Sequence, residues 1–332
     1  MPFCLSFQCV NSLDLPRTRA QGYVGYHPPR FGKNEKGSPM SALKGVTIGF
    51  IGLGLMGRPM SLNLQRAGAE LVIHNRSHGV VEELSAEGMT PANSPQAVAE
   101  RAPTLILMLS DTPAVEKVLL GERGVIHGLK RESLVIDMGT TAVMATRRFA
   151  NQVMATGADY IDAPVSGGQI GAQEATLTIM AGGSEEAFAR AKPILEVMGK
   201  HITRVGEVSA GQVAKAANQI IVGLTIGTVA EALTLAKRAG VDPGKIREAL
   251  AGGFAASRIL EVHGKRMIES TFEPGAKATT QRKDLAQALE LAKEIGVELP
   301  ATALNLELYE RLIAEGSGDL DHSALYKVID RS

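Results

Sequence analysis

The chain of 332 residues has no tryptophan and only two cysteines, Cys4 and Cys9. Both cysteines precede the regular part of the sequence, so we expect a folded body without disulfides or thiolate metal ligands. His74 and His78 are four residues apart, yet they flank a predicted strand end and no carboxylate accompanies them. We therefore expect no metal site. The lack of disulfides fits a reducing compartment, and we expect a cytoplasmic protein.

Neither sign of charge is in excess, because 35 Lys and Arg residues balance 35 Asp and Glu residues. Nucleic-acid binders usually carry a basic surplus, so we expect no nucleic-acid partner. The uncharged run at 216–230 contains Asn218, Gln219 and two glycines. Because this run is shorter than the ~20 apolar residues of a membrane span, we predict a buried helix and no membrane contact.

The first 44 residues differ in composition from the rest. They hold six Lys or Arg residues against two acidic residues, and they show no sustained hydrophobic periodicity. We therefore predict a disordered tail over residues 1–44. A basic N-terminus is also compatible with an organellar transit peptide, although a clear amphipathic pattern and an apolar signal core are absent. A second start at Met40 is the simpler alternative.

From Val46 onward, short β-rich runs alternate with helix-compatible segments. The runs lie at 46–51, 70–74, 104–108, 133–137, 158–162 and 176–180. This alternation predicts a mostly parallel sheet that is covered by helices on both faces. After about residue 205 only helical segments follow, one of them with Asp242 as its cap and Pro243 as its first residue. We predict an α/β domain over 45–207 and an all-α domain over 208–332.

The sequence GFIGLGLMGRPM at 49–60 directly follows the first predicted strand. Three of its glycines fit G-x-G-x-x-G, a pattern that allows a tight turn and the close approach of a pyrophosphate. In this context the pattern indicates a Rossmann domain that binds NAD(P) at a helix N-terminus. The predicted cofactor contacts are Gly52, Leu53, Gly54, Leu55, Met56 and Gly57. A glycine-rich turn without a ligand is the alternative.

The end of the second predicted strand indicates which dinucleotide binds. An NAD enzyme usually has Asp or Glu about 20 residues beyond the glycine loop, where it binds the ribose 2′-hydroxyl. This sequence has Asn75, Arg76 and Ser77 there instead. Arg76 can pair with a 2′-phosphate while Asn75 and Ser77 add hydrogen bonds, so we predict a preference for NADP over NAD. The alternative is that Arg76 is only a solvated loop residue.

A second glycine-rich motif, DAPVSGG, occupies residues 162–168. Ser166, Gly167 and Gly168 place a hydroxyl beside backbone N–H groups that no side chain shields, which is typical of a small anion site. An ordinary glycine-rich turn is the alternative.

Lys215 stands in GQVAKAAN, residues 211–218, at the start of the uncharged run. On a helix, Gly211, Lys215 and Asn218 lie along one stripe, and we expect Gly211 to leave room for a molecule to approach the lysine. Most lysines are solvated surface charges. A lysine at the head of a buried helix is more often a tuned proton donor or acceptor.

The segment RKDLAQAL at 282–289 is a weaker motif. It predicts a helix start at which Asp284 caps the helix and Lys283 is free to reach another element.

These motifs together resemble the β-hydroxyacid dehydrogenase family, which includes 3-hydroxyisobutyrate dehydrogenase and 2-hydroxy-3-oxopropionate reductase. The resemblance runs from about Val46 to the C-terminus. It rests on the two glycine-rich motifs, on GQVAKAAN, and on MLSD at 108–111, DMGTT at 137–141 and KDL at 283–285.

The resemblance implies a role for several residues. Lys215 matches the catalytic lysine, Ser166, Gly167 and Gly168 match the loop for the substrate carboxylate, and Asn218 matches an asparagine that orients the substrate. The cofactor positions are Leu109, Thr140 and Lys283. Two positions depart from the pattern, because Gln219 replaces a second asparagine and Gly139 replaces a common serine.

We expect an NADP-preferring oxidoreductase that interconverts a short β-hydroxyacid and its semialdehyde, with Lys215 as general acid and base. The resemblance also implies a homodimer or homotetramer built through the helical domain. Two alternatives stay open. One is a related reductase of another carbonyl or of an imine, although imine reductases generally lack the lysine. The other is a non-catalytic NADP-binding interaction protein.

Overall fold

The structure is a computed structural model that describes residues 42–331, which belong to one compact unit. The predictions about the tail therefore lie outside the described residues for positions 1–41. Leu43 is described, is only 2% exposed, and donates its N–H to the Ala67 carbonyl at 2.9 Å. The folded body thus includes Leu43 and begins before the predicted boundary at residue 45.

In the described chain, nine strands form one sheet in the order β3-β2-β1-β4-β5-β6-β8-β7, with β9 beside β8. The strands are β1 Thr47–Ile51, β2 Glu70–His74, β3 Thr90–Pro91, β4 Thr104–Leu107, β5 Leu134–Asp137, β6 Asp159–Asp162, β7 Val165–Ser166, β8 Leu177–Gly182 and β9 Gly199–Gly206. The six neighbouring strands β3, β2, β1, β4, β5 and β6 run parallel to one another. Strand β8 is antiparallel to both β6 and β7 and parallel to β9. The 3-2-1-4-5-6 order is that of a Rossmann domain.

The inner strands are apolar on both faces, as parallel strands covered by helices must be. Ile48 and Phe50 pack into the core on one face of the sheet, while Ile51 packs into the core on the other face. Helices cover both faces: α1 Gly57–Arg66, α2 His78–Ala86, α3 Pro95–Arg101, α4 Thr112–Leu120, α5 Val143–Met154, α6 Gly168–Gln173 and α7 Glu185–Leu195. The mostly parallel sheet predicted from the sequence is confirmed.

The sequence patterns missed β9. Its residues GKHITRVG are largely exposed or half-buried, because β9 pairs only with β8 at the border of the sheet. A border strand lacks the continuous apolar run of an inner strand, so it gave no hydrophobic signal. The two-residue strands β3 and β7 are too short to show any period.

The second half of the described chain is helical. It contains α8 Ala210–Arg238, α9 Pro243–Leu250, α10 Arg258–Glu269, α11 Ala278–Glu294, α12 Pro300–Leu312 and α13 Tyr326–Ile329, with a π-helical turn at Ile313–Ser317 and a 3₁₀ turn at His322–Leu325. The core packs around α8, where Ile226 and Leu233 meet Leu285 and Tyr309. Asp242 caps α9 as predicted, by accepting the Gly244 N–H at 2.8 Å.

Helix α8 is longer than the sequence suggested. Its 29 residues are long and apolar enough to cross a membrane by length and composition, although half of its most apolar window is buried inside the protein. The other side of α8 is open, with Ile221 66% exposed and Leu235 73% exposed. The prediction of a buried helix is therefore right for one side of α8 only.

Candidate active site

The first glycine loop, residues 52–57, joins β1 to α1. At two of its positions there is no space for a side chain. Gly52 has a φ of +98°, and a Cβ there would lie 2.2 Å from the Met108 carbonyl oxygen. A Cβ on Gly57 would lie 1.8 Å from the Gly52 carbonyl oxygen. Only glycine allows this turn and this approach of α1 to the sheet.

Gly54, by contrast, faces open space, since no atom lies within 4 Å of the position that an added Cβ would take. The N-terminus of α1 has no side-chain cap and no acidic residue in its first turn. Arg58 and Met60 already donate their N–H groups to the carbonyls of Gly54 and Met56, so the N–H of Gly57 is the one in this first turn that remains for an anion, and the open loop before it fits the pyrophosphate of a dinucleotide. Around Gly54, Leu53 is buried, Leu55 is exposed and Met56 is half-buried.

The loop after β2 is fastened to the glycine loop by Asn75. Its Oδ1 accepts the Leu53 N–H at 3.0 Å, and its Nδ2 donates to the Ser77 carbonyl at 3.1 Å. Asn75 therefore orders the loop, a role that the sequence did not suggest. Arg76 and Ser77 are exposed, and the Arg76 guanidinium has no hydrogen bond or ion pair within residues 42–331.

Leu109, Thr140 and Lys283 lie around the loops after β4 and β5. Leu109 Cδ2 is 3.0 Å from the position of a Cβ on Gly52. The Leu109 carbonyl oxygen is 2.8 Å from the position of a Cβ on Gly139, so a serine there would have to displace this loop. Lys283 Nζ donates to the Thr140 carbonyl at 3.1 Å and thereby joins the helical half to the loop after β5.

The N-terminus of α8 is held by a buried carboxylate at the end of β6. Asp162 accepts the Ser209 N–H at 2.7 Å and the Gln212 N–H at 2.8 Å. Gly211 lies against this contact, since a Cβ on it would be 2.4 Å from the Met180 carbonyl oxygen. The expectation that Gly211 leaves room beside Lys215 is wrong, because this glycine lets α8 pack directly on the sheet.

A second buried carboxylate, Asp137, ends the neighbouring strand β5 and pairs in register with Asp162. It accepts the Thr141 hydroxyl at 2.7 Å and the Gly139 N–H at 3.1 Å. Gln212 then connects this loop to α8, since its side chain accepts the Thr141 N–H at 3.1 Å and donates to the Gly139 carbonyl at 2.9 Å.

Burial raises the pKa of both carboxyls. The pKa of Asp137 rises to about 6, although hydrogen bonds from Thr141 and Gly139 oppose the rise. The pKa of Asp162 rises to about 7 through burial and the nearby charge of Asp137, against the backbone N–H groups of Ser209 and Gln212. Both groups thus hold a proton more tightly than they would in water.

The predicted anion loop follows β7. Gly167 and Gly168 have φ values of +132° and +62°, a geometry that favours glycine. The Ser166 hydroxyl is partly exposed and has no hydrogen-bond partner in the described part of the chain. Opposite the loop, the Gly275 carbonyl oxygen lies 3.5 Å from the position of a Cβ on Gly168.

Lys215 lies beside this loop and is only 7% exposed. Its Nζ donates to the Val165 carbonyl at 2.8 Å and to Gln219 Oε1 at 3.1 Å. An ammonium has three N–H donors, so one stays available to another molecule. Burial lowers the pKa of Lys215, while the charge of Asp284 raises it and that of Lys283 lowers it.

Gln219, which departs from the family pattern, connects Lys215 to α11, a role that the sequence did not indicate. Its Oε1 accepts from Lys215 and from Asn218 Nδ2, the latter at 2.8 Å. Its Nε2 donates to Asp284 Oδ2 at 2.6 Å and to Gln281 Oε1 at 3.2 Å. The spacing of four between residues 215 and 219 was the one signal in the sequence that could have revealed this contact.

The predicted helix start at residues 283–284 is wrong. Helix α11 begins at Ala278, so Asp284 lies inside the helix, where it is buried. Its carboxylate contacts Gln219 and lies 2.9 Å from Lys283 Nζ. Asp284 therefore belongs to the polar network of Lys215 and caps no helix.

Comparison with known proteins agrees with this geometry. Residues 47–206 match the family described as the NAD binding domain of 6-phosphogluconate dehydrogenase. Residues 209–329 match the family described as "NAD-binding of NADP-dependent 3-hydroxyisobutyrate dehydrogenase". A 2-hydroxy-3-oxopropionate reductase of Escherichia coli K12 is 49% identical over 286 residues, which cover 86% of this chain and 97% of that protein. The chain belongs to the β-hydroxyacid dehydrogenase family.

Two further relatives have the names of 3-hydroxyisobutyrate dehydrogenases. A probable mitochondrial enzyme of Dictyostelium discoideum is 34% identical, over 88% of this chain and 94% of the relative. The solved structure of the Mycobacterium tuberculosis enzyme with L-serine has a TM-score of 0.79 and 29% identity, over 86% of this chain and 99% of that one. This protein is thus an NAD(P)-dependent β-hydroxyacid dehydrogenase.

The raised pKa of Asp137 makes a prediction about the stability of this dehydrogenase. Because the folded protein binds the proton more tightly than the unfolded chain, the contribution of Asp137 is complete below about pH 4 and is lost as the pH rises through about 6. We expect the free energy of unfolding of the wild type to fall by roughly 1 to 3 kcal/mol over this range relative to Asp137→Asn.

Urea denaturation at several pH values between about 4 and 8 measures this difference. Asp319→Asn is the control, because this carboxylate is exposed and should leave the pH profile parallel to that of the wild type. A parallel profile for Asp137→Asn as well would contradict the assignment.

Proposed function

We propose that this dehydrogenase interconverts 2-hydroxy-3-oxopropionate and 2,3-dihydroxypropionate, the acid that forms when the aldehyde is reduced. We propose NADP as the preferred cofactor. The observation that carries the proposal is the position of Lys215, whose buried ammonium donates to the carbonyl of Val165, next to the anion loop at Ser166. A carboxylate on this loop would bring the neighbouring carbonyl of a short acid within reach of the lysine. The identity of 49% to the E. coli reductase supports the choice of substrate.

Each side chain has a definite task in the reduction. Ser166 and the N–H groups of Gly167 and Gly168 bind the carboxylate, and Asn218 orients the substrate. When bound at the glycine loop, NADPH would supply the hydride that reduces the aldehyde carbon. The third N–H of Lys215 donates its proton to the aldehyde oxygen, which becomes a hydroxyl. In the oxidation the neutral amine of Lys215 takes this proton back, and the lowering of its pKa by burial makes that neutral form more accessible.

The surroundings of Arg76 support the preference for NADP. Its guanidinium is exposed and unpaired in the described chain, next to the N-terminus of α2 at His78. Asn75 occupies the position of the acidic residue that would favour NAD. A free guanidinium at this place can form a charge-assisted pair with a 2′-phosphate.

Arg76→Ala should therefore weaken the binding of NADPH far more than the binding of NADH. A hydrogen bond to a charged group contributes about 1.5 to 3 kcal/mol, which corresponds to roughly 10- to 150-fold in affinity. Fluorescence titration with both cofactors measures the two dissociation constants. Arg148→Ala, at an exposed arginine on α5, is the matched control. Equal losses for NADPH and NADH would contradict the assignment of Arg76.

Lys215→Ala should lower kcat by about 10²- to 10⁴-fold, the usual contribution of a positioned acid–base group. The fold and the affinity for NADPH should be preserved. Lys215→Arg should restore little activity, because a guanidinium keeps its proton at working pH. Steady-state kinetics with 2-hydroxy-3-oxopropionate measures both variants. Lys237→Ala, at an exposed lysine on the same helix, should leave kcat unchanged.

If kcat of Lys215→Ala stayed within about tenfold of the wild type, Lys215 would be structural and the mechanism would fail. The same assay separates the alternatives. Turnover of 2-hydroxy-3-oxopropionate would argue against a non-catalytic interaction protein. Turnover of an imine faster than that of 2-hydroxy-3-oxopropionate would favour a reductase of another substrate.

We also propose that the protein assembles as a homodimer or a larger oligomer through the open side of α8. Val213, Ile221 and Leu235 are exposed and lie within roughly 80° of one another around the helix axis, at about 100° per residue. A surface of this kind is usually covered by another protein chain. Glu231 lies exposed on the same helix, which disfavours a lipid partner for this side.

Ile221→Glu should shift the protein toward monomers, because a carboxylate buried without a partner disfavours association. Sedimentation velocity or light scattering at several concentrations measures the mass. Leu304→Glu, at an exposed leucine of α12, is the control and should keep the wild-type mass. A wild type that stays monomeric at micromolar concentration would refute the proposal.

A further inference from the structure

The α/β domain has a cavity of about 550 Å³ that the proposed mechanism does not use. This volume is in the range of sites that bind small molecules. Four of the nine residues that line the cavity are basic, and one is acidic. The basic residues are Arg101, Lys130, Arg131 and Arg190, and the acidic residue is Glu132. The cavity is therefore a candidate site for an anion.

The cavity lies at the amino ends of two neighbouring strands. Its wall includes Pro103, which precedes β4, and residues 130–133, which precede β5. The first residues of these strands, Thr104 and Leu134, pair in register. The glycine loop follows the carboxyl end of β1, which runs parallel to β4. The cavity and the glycine loop are thus at opposite edges of the sheet, so a molecule in the cavity would be a second ligand beside the dinucleotide.

Two of the cations donate to backbone carbonyls. Arg101 Nη1 donates to the Pro91 carbonyl at 3.1 Å. Lys130 Nζ donates to the Glu100 carbonyl at 3.0 Å. Each contact orients the side chain but leaves its positive charge without a carboxylate partner within residues 42–331. A guanidinium has five N–H donors and an ammonium has three, so both side chains keep donors for another molecule.

The other two cations of the cavity differ in their partners. Arg131 is exposed, and its guanidinium has no hydrogen bond or ion pair in the described chain. Arg190 is neutralised, since its Nη1 donates to Asp159 Oδ2 at 2.5 Å, and it also donates to the Glu132 carbonyl. Three of the four positive charges are therefore uncompensated. They repel one another, and an anion between them would replace that repulsion by attraction.

Residues 130–133 form a turn that is held in an unfavourable backbone conformation. The Ser133 N–H donates to the Lys130 carbonyl at 3.1 Å, and Glu132, the third residue of the turn, has a φ of +67°. Glycine is the usual residue at this position of a turn with this φ, so a glutamate there is strained. The Glu132 N–H donates to the Gly157 carbonyl at 2.8 Å. This contact fixes the turn and keeps its two cations at the cavity.

The kinds of side chain at the cavity indicate the class of ligand. Guanidinium groups bind phosphate and carboxylate groups through paired hydrogen bonds, and an ammonium binds them as a point charge. The carboxylate of Glu132 opposes an anion, yet three uncompensated cations against this one carboxylate leave a positive surplus. A ligand with several negative charges matches this surplus better than a monovalent ion does.

We propose that this cavity binds a small polyanion, namely a metabolite that carries at least two phosphate or carboxylate groups. Arg101, Lys130 and Arg131 bind the charged groups of the ligand, whereas Arg190 holds the turn. The ligand connects the segments before β4 and β5, so its binding stabilises the folded protein. The inference concerns a second site and does not depend on the identity of the substrate.

The test uses the full chain saturated with NADPH, so that the glycine loop is occupied. Isothermal titration calorimetry with pyrophosphate and with citrate measures binding, and the tighter of the two probes shows whether phosphate or carboxylate groups are preferred. Arg131→Ala should weaken binding roughly 10-fold, because a charge-assisted hydrogen bond is lost. Glu132→Gln should tighten binding, because it removes the opposing charge and keeps the side-chain length.

Arg148→Ala, at an exposed arginine of α5, is the control and should keep the wild-type affinity. All three substituted residues are exposed, so the variants should keep the wild-type melting temperature in the absence of a probe. If neither probe bound to the wild type at millimolar concentration, the inference would be wrong. Equal affinity of the wild type and Arg131→Ala would place the probe elsewhere and overturn it. Weaker binding by Glu132→Gln would contradict it as well.

Discussion

The attachment of α8 to the sheet by Asp162 is the contact on which the rest of the site depends. The first N–H groups of a helix have no partner within the helix, and Asp162 accepts two of them at the end of β6. Because Gly211 has no side chain, the helix approaches to direct backbone contact. One turn further along α8 is Lys215, so the same contact that fixes the helix also fixes the distance of the lysine from the Val165 carbonyl.

Asp137 contributes a second connection between α8 and the sheet. It orders the loop after β5, and Gln212 joins that loop to α8 through two hydrogen bonds. The loop in turn carries Thr140, which Lys283 reaches from α11. The loop after β5 and the start of α8, which carries Lys215, therefore share one polar core. Its two carboxyls are buried, so a lost hydrogen bond there is more costly than one at the surface.

The sequence predicted features that depend on residues close together in the chain. It did not predict contacts between segments that are far apart in the chain. The loop at Gly52 and Gly57 is readable because the backbone geometry that requires glycine lies within a few residues. The burial of Lys215 follows from its apolar neighbours on one helix. The contact of Asp284 with Gln219 joins residues 65 positions apart, and no period or spacing reports it. Gly211 was recognised as special, but its reason lies in Asp162 and Met180, which belong to other elements.

Gln219 shows how a departure from the family pattern can be accommodated. Its amide uses both acceptor sites, for Lys215 and Asn218, and both donors, for Asp284 and Gln281. An asparagine is one methylene shorter, so it could not reach both α11 and the lysine without a shift of the helices. The length of Gln219 therefore sets the separation at which the charge of Asp284 acts on Lys215. Burial lowers the pKa of the lysine while that charge raises it, so the packing of α8 against α11 tunes the proton affinity of Lys215.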